Sequence, residues 1–69
     1  MTYIVGTYKA TRCFVQCFPE FDDIEGAKAQ ANSFYDEVKE GIKHGIYEAY
    51  TCVQVLDYNG KLHAQYGVS

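Results

Sequence analysis

The 69-residue chain has no tryptophan, one proline and only six lysine and arginine residues. Nine acidic residues outnumber the basic ones, and the net charge of −3 leaves no basic stripe for contacts with nucleic-acid phosphates. No apolar run approaches the roughly 18 residues of a membrane span, and the first residues lack the basic start and apolar stretch of an export signal. We therefore expect a cytoplasmic protein with neither a nucleic-acid nor a membrane partner.

Cysteine is also scarce, and its three copies form an odd number, which favours reduced thiols. Cys13 and Cys17 lie about 13 Å apart if both are on one strand, whereas two thiolates that share a zinc ion each lie about 2.3 Å from it. We therefore expect no metal and no cofactor, and we interpret the cysteines as small hydrophobic residues. A disulfide-linked dimer through Cys52 is the alternative.

What the chain does contain is apolar and aromatic surface. Hydrophobic residues make up 48% of it, with seven tyrosines and four phenylalanines, so a disordered chain is excluded. We expect residues 1–69 to form a single small domain with a folded surface of about 4,400 Å². At this size the gain from burial and the cost of ordering nearly cancel, so an oligomer interface would add needed stability.

The pattern predicts four strands and one helix, an α+β fold of ββαββ type with a mostly antiparallel sheet. A helix is capped by Asp22 or Asp23, with Glu25 at a capping-box spacing from Asp22, and runs to about His44. Gly45 ends it, and Gly41 is a weak point inside it. The strands are predicted at 3–8, 11–18, 47–58 and 61–66, and the apolar helix face consists of Ile24, Ala27, Ala31, Phe34, Val38 and Ile42.

Asn59-Gly60 predicts a hairpin with a two-residue loop, and this loop sets the register of the last two strands. Leu56 then faces His63, Val55 faces Ala64, and Val53 faces Tyr66. The helix is expected to cover Val53, Val55, Leu62, Ala64 and Tyr66, together with Ile4, Cys13, Val15 and Cys17 from the first hairpin. The opposite face collects Tyr50, Cys52, Leu56, Tyr58 and His63 from the second hairpin and Tyr3, Val5 and Phe14 from the first.

Geometry leaves that opposite face bare. Four strands about 4.8 Å apart make a sheet about 19 Å wide, and one helix about 10 to 12 Å across occupies only one side of it. An uncovered apolar face indicates association rather than catalysis. We predict an interface made of Tyr3, Val5, Phe14, Tyr50, Cys52, Leu56, Tyr58 and His63.

The leading functional hypothesis is a protein-interaction module that forms a homo-oligomer, most simply a symmetric dimer. The alternative is a small regulator or inhibitor, like the accessory proteins of phages, that docks on a different protein. An enzyme is the third hypothesis and is not favoured, because its site would have to form between subunits. The same register also separates His63 from Cys52 by about 13 Å, too far for a catalytic dyad.

Overall fold

The computed structural model describes residues 2–9 and 13–67, except for the side chains of Lys9 and Cys13. The elements follow the order β1 (Tyr3–Lys9), β2 (Cys13–Gln16), α1 (Ile24–Lys43), β3 (Cys52–Asp57) and β4 (Leu62–Gly67). The strands form one sheet in the order β2-β1-β3-β4, and every neighbouring pair is antiparallel. The predicted ββαββ fold is confirmed, and the accessible surface of 4435 Å² agrees with the expected value.

The core lies between α1 and one side of the sheet. Val5, Val53 and Val55 are fully buried there. They pack with the predicted apolar stripe of α1, whose fully buried members are Ala27, Ala31 and Val38. Among the described strands, α1 contacts β1, β3 and β4 but not β2. The helix therefore covers three strands, and Val15 on β2 stays 51% exposed.

Asp23 caps the helix. Its carboxylate accepts a hydrogen bond from the Gly26 amide at 2.5 Å, while its backbone is extended. The capping-box spacing of Asp22 and Glu25 is therefore not the one the helix uses. At the other end, His44 is the C-cap of α1. Gly45 follows with a φ of 80°, so the predicted left-handed stop is confirmed.

The segment after α1 turns back onto the helix before β3 begins. The amides of Ile46 and Tyr47 both donate to the Gly41 carbonyl, at 2.7 and 3.2 Å. The Tyr47 ring lies where a side chain on Gly41 would be, so Gly41 is a packing position rather than a weak point. The prediction that the third strand starts at Tyr47 is wrong because residues 47–50 follow this turn.

The β3–β4 hairpin has a three-residue loop, not the predicted two-residue loop. The Asp57 amide donates to the Lys61 carbonyl and the Gly60 amide to the Asp57 carbonyl, both at 2.9 Å. Gly60 has a φ of 86°, which is typical of a type I turn followed by a left-handed residue. Asp57 therefore lies opposite Lys61, whereas a two-residue loop at Asn59-Gly60 would put Tyr58 there.

A bulge then restores the predicted register. Leu56 pairs with Leu62, but Val55 already pairs with Ala64, so His63 is an extra residue on β4. The predicted pairs of Val55 and Val53 are confirmed, whereas the pair of Leu56 with His63 is wrong. Because one residue of shift inverts the faces of a strand, Leu62 and His63 exchange sides relative to the prediction.

The first hairpin also corrects the predicted faces. Val5 pairs with Val55, which puts Tyr3, Val5 and Thr7 on the helix side of β1. Tyr8 pairs with Phe14, so alternation puts Ile4, Gly6 and Tyr8 on the side opposite α1. The prediction had assigned Ile4 to the helix side and both Tyr3 and Val5 to the uncovered side.

Candidate functional site: the open face of the sheet

The side of the sheet opposite α1 is the candidate site, and we call it the open face. Register and alternation place residues of all four strands on it. These residues are Ile4, Gly6, Tyr8, Phe14, Gln16, Cys52, Gln54, Leu56, Leu62 and Gln65.

Two apolar rows cross the open face at its two ends. One row runs through Ile4, Leu56 and Leu62, which are paired directly across β1, β3 and β4. The other joins Tyr8 to Phe14 on one side and to Cys52 on the other. Leu62 is 47% exposed, and the aromatic residues are half-buried. Apolar surface therefore reaches both ends of the strands.

Between the apolar rows lies a row of carboxamides, which we call the amide row. It consists of Gln16, Gln54 and Gln65, with Gly6 between the first two. The Gln54 amide donates to the Gln65 side-chain oxygen at 2.9 Å. The Phe14 ring leans over Gly6, where an added Cβ would meet Phe14 Cζ at 2.8 Å.

The described residues of the open face include no charged side chain. Asp57 is the charged residue among the described strand side chains, and it lies at the end of β3 on the helix side of the alternation. The chain nevertheless has a net charge of −3. Depletion of charge is a compositional feature of the centres of protein interfaces, whereas overall hydrophobicity is not.

Only part of the predicted interface lies on this surface. Register places Phe14, Cys52 and Leu56 on the predicted side, but Cys52 is only 3% exposed and offers almost no contact surface. Tyr3, Val5 and His63 lie on the helix side, and Val5 is fully buried. Tyr50 and Tyr58 belong to the segments before and after β3 rather than to a strand. The three tyrosines of the predicted interface, Tyr3, Tyr50 and Tyr58, therefore do not meet on the open face.

The sequence prediction missed Ile4, Tyr8 and the amide row. Both alternating sets of β1 contain apolar or aromatic residues, so the pattern of this strand alone did not identify its buried face. Gly6 is the available signal, because a position without a side chain contributes little to a core. Placing Gly6 on the uncovered side would have assigned Ile4 and Tyr8 correctly.

His63 belongs to a separate cluster, which lies on the helix side of the sheet next to the β3–β4 turn. Its Nε2 lies 3.0 Å from Asp57 Oδ2, and its ring packs edge-on against Tyr3 with centroids 5.3 Å apart. Asp57 Oδ1 accepts hydrogen bonds from the amides of Asn59 and Lys61, at 2.8 and 2.9 Å. The His63 hydrogen bond and then the Lys61 amide hold the pKa of the Asp57 carboxyl below its usual range. Both carboxylate oxygens are engaged, so Asp57 stabilises the turn.

The described cysteines are free thiols with different surroundings. Cys17 is exposed, whereas Cys52 is 3% exposed and donates to the Tyr8 carbonyl at 3.7 Å. Burial raises the pKa of the Cys52 thiol. A buried thiol with a raised pKa is inert, which argues against the disulfide-linked dimer through Cys52.

Tyr50 has a local partner rather than a place on the open face. Its hydroxyl donates to the Glu48 carboxylate, and this hydrogen bond raises the pKa of Tyr50. In residues 2–9 and 13–67, no three histidine, cysteine or acidic side chains are arranged to hold a metal ion. The helix in this part of the chain is not long and apolar enough to cross a membrane.

Comparison with protein-family models, curated proteins and solved structures found no match to this chain. The open face is therefore the feature of the molecule from which a function can be inferred.

Proposed function

We propose that this protein is a small interaction module that self-associates through its open face, as a symmetric dimer. The observation that carries the proposal is the amide row between two apolar rows, on a face whose described residues carry no charge. Self-association of this kind needs no catalytic group. The proposed compartment is the cytoplasm, where thiols such as those of Cys17 and Cys52 stay reduced.

The amide row is the reason for choosing a second copy as the occupant. A carboxamide carries both donors and an acceptor, so a row of glutamines can hydrogen-bond to an identical row. A two-fold axis in the plane of the interface, along the row or perpendicular to it, brings amide row onto amide row. Under either axis, each apolar row meets an apolar row of the other copy.

Charge supports the same partner. Two copies that each carry a net charge of −3 repel one another at long range, but this repulsion is screened beyond about 8 Å at physiological ionic strength. The acidic side chains lie on α1, its flanking segments and the β3–β4 turn, not on the described open face. The described residues therefore bring no acidic side chains together when two open faces pack.

The size of the open face sets the expected strength. The sheet is about 19 Å wide, and a six-residue strand is about 20 Å long, so each copy offers a flat area of about 400 Å². Side-chain relief enlarges this area, but the total stays near the low end of specific interfaces, below about 1,200 Å². We therefore expect a weak, reversible dimer that forms in the micromolar range.

The test is the solution mass of the chain by sedimentation equilibrium between about 5 and 500 µM. Leu62→Asp puts a charge on the open face at a position that is 47% exposed. Ile46→Asp is the matched control, because Ile46 is 76% exposed and lies in the α1–β3 connection. We expect the wild type and Ile46→Asp to dimerise and Leu62→Asp to stay monomeric, with thermal unfolding confirming that all three are folded.

Two results would reject the proposal. One is a wild-type chain that is strictly monomeric throughout this range. The other is equal loss of association in both variants, which would show that net charge rather than the open face controls the mass.

A further inference from the structure

A cavity of about 560 Å³ opens where the last turns of α1 meet the segment that follows. Its volume lies within the range of about 300 to 1,000 Å³ of ligand sites, but it is a shallow, open depression rather than an enclosed pocket. It is separate from the open face, because α1 packs on the other side of the sheet. The lining residues are Asp36, Glu37, Glu40, Gly41, His44, Ile46 and Tyr47.

The floor of this cavity is apolar and held in place by the backbone. The Tyr47 ring packs against Gly41, and the Ile46 and Tyr47 amides are both fixed on the Gly41 carbonyl. Ile46 is 76% exposed, the most exposed of the large hydrophobic residues in the described chain. An exposed isoleucine beside a preformed concavity offers contact to an apolar segment.

The rim is acidic. Asp36 is 3.5 Å from Lys39, and Glu40 is 3.9 Å from Lys43 and 3.7 Å from His44. Glu37 makes no ion pair or hydrogen bond among the described residues and lies between them on the cavity side of the helix.

The end of the helix adds a partial negative charge, which Lys43 in its last turn offsets in part. The C-terminal end of a helix carries about half a negative charge, and the cavity lies at that end of α1. An occupant with a positive charge and an apolar stem would complement both the rim and the floor.

We propose that this cavity binds an arginine side chain presented by an extended, otherwise apolar peptide segment of another protein. A guanidinium forms paired hydrogen bonds with a carboxylate, and its three-carbon stem can lie along apolar surface. Among the described residues, no set of acidic and histidine side chains here is arranged for a metal ion. The proposal does not depend on self-association, since the two surfaces share no residue.

The test is a titration of the full ¹⁵N-labelled chain followed by NMR. The probe is the peptide acetyl-Leu-Arg-Leu-amide, and the control peptide has citrulline, the uncharged isostere, in place of arginine. We expect the amide signals of Gly41, Ile46 and Tyr47 to shift and saturate with the arginine peptide. The citrulline peptide should bind at least about five times more weakly, since it lacks the charge.

A pair of variants separates a local site from general charge. Glu37→Gln removes the unpaired rim carboxylate, whereas Glu25→Gln makes the same change in the first turn of α1, about 18 Å away along the helix. We expect Glu37→Gln to weaken binding of the arginine peptide by about two- to five-fold, the range for exposed ion pairs. Glu25→Gln should leave the affinity unchanged.

Equal binding of the two peptides, equal effects of the two variants, or no saturable shift at millimolar peptide would each overturn the proposal. Sedimentation of the same samples distinguishes this failure from that of the proposed dimer. Leu62→Asp should lose self-association and keep the peptide affinity.

Discussion

Gly41 has no side chain, and the Tyr47 ring fills the space that a side chain there would occupy. From the sequence, a glycine inside a helix predicts only a loss of about 1 kcal/mol relative to alanine. In the fold, it lets the chain after α1 turn back and close one wall of the acidic cavity. Asp57 likewise has a role that its type alone does not show, since it accepts hydrogen bonds from two turn amides and from His63.

Gly41→Ala should therefore destabilise the protein although alanine favours helix. Overpacking costs about 1 to 3 kcal/mol, which exceeds the propensity gain of about 1 kcal/mol at its upper range. Gly26→Ala is the comparison, because a Cβ there would meet Asp23 Oδ1 at 3.3 Å and need only a small shift, whereas a Cβ at Gly41 would overlap the Tyr47 ring. Urea unfolding of both variants measures the difference. A more stable Gly41→Ala variant would show that Tyr47 does not pack against this position.

The pairing of Asp57 predicts a pH dependence at the acid end. A carboxyl whose folded pKa lies below its usual 3.8 contributes stability that is fully present above that value and is lost as pH falls through the lowered folded value. Asp57→Asn keeps an acceptor for the turn amides but cannot titrate. The unfolding free energy should therefore fall less steeply between about pH 4 and pH 2 in this variant.

His63→Leu is the companion variant for this measurement. It removes the largest cause of the lowered pKa while the Lys61 and Asn59 amides remain. We expect a slope between those of the wild type and Asp57→Asn. A slope identical to the wild type would mean that His63 does not hold the carboxylate.

At the scale of elements, the type and order of the strands and the helix could be predicted from the sequence. Which residues of each strand face the helix could be predicted only in part. Strand composition and the helical period identified all five elements. The Asn59-Gly60 pair located the turn, yet the loop has three residues because the Asp57 side chain holds the Asn59 and Lys61 amides. The faces of Val53 and Val55 were right because the bulge at His63 cancels the longer loop. Those of β1 were wrong because both of its sides are apolar.

The sequence left two candidates for the residue that caps α1, Asp22 and Asp23. Asp23 accepts the Gly26 amide, so Asp23→Ala should cost about 1 kcal/mol of stability, the usual value for losing such a cap. Asp22 lies one residue earlier and is exposed like Asp23. Asp22→Ala should therefore change stability by less than half of that amount. Thermal or urea unfolding of the pair decides between them. Equal losses would indicate a charge effect rather than a cap.

At the scale of the whole molecule, the described residues form two layers, a charged helix and a sheet whose open face has no charged residue among those described. The sequence predicted that one side of the sheet would stay uncovered, because one helix is narrower than four strands. It did not predict the glutamines as the centre of that side, because polar residues on a strand ordinarily indicate exposure to water. The glutamines form one row only because of the register in which the strands pair. This register depends on contacts between residues far apart in the chain.

The amide row gives a prediction for the assembled molecule that depends on the proposed dimer. Gln65→Glu preserves the shape but replaces the amide with a carboxylate, so two like charges enter the interface at neutral pH. We expect dimerisation to weaken at least tenfold, about 1.4 kcal/mol. It should recover below about pH 4, where glutamate is protonated and can donate again.

Gln30→Glu, which adds the same charge on α1, is the control for this experiment. Sedimentation equilibrium at pH 7 and near pH 4 measures both variants. Weakening of the same size in Gln30→Glu would place the effect in net charge and not in the amide row.

The bulge on β4 gives the hairpin a tolerance to changes in chain length. The loop holds one residue more than a two-residue turn, and the bulge at His63 absorbs it, so the disturbance is confined to the stretch from Asp57 to His63. Beyond that stretch, Ala64 and Tyr66 pair as they would without either feature. An insertion in the turn together with a compensating one on the strand thus leaves the core unchanged. The conformation of this hairpin tip is therefore uncoupled from the pairing of the buried residues beyond it.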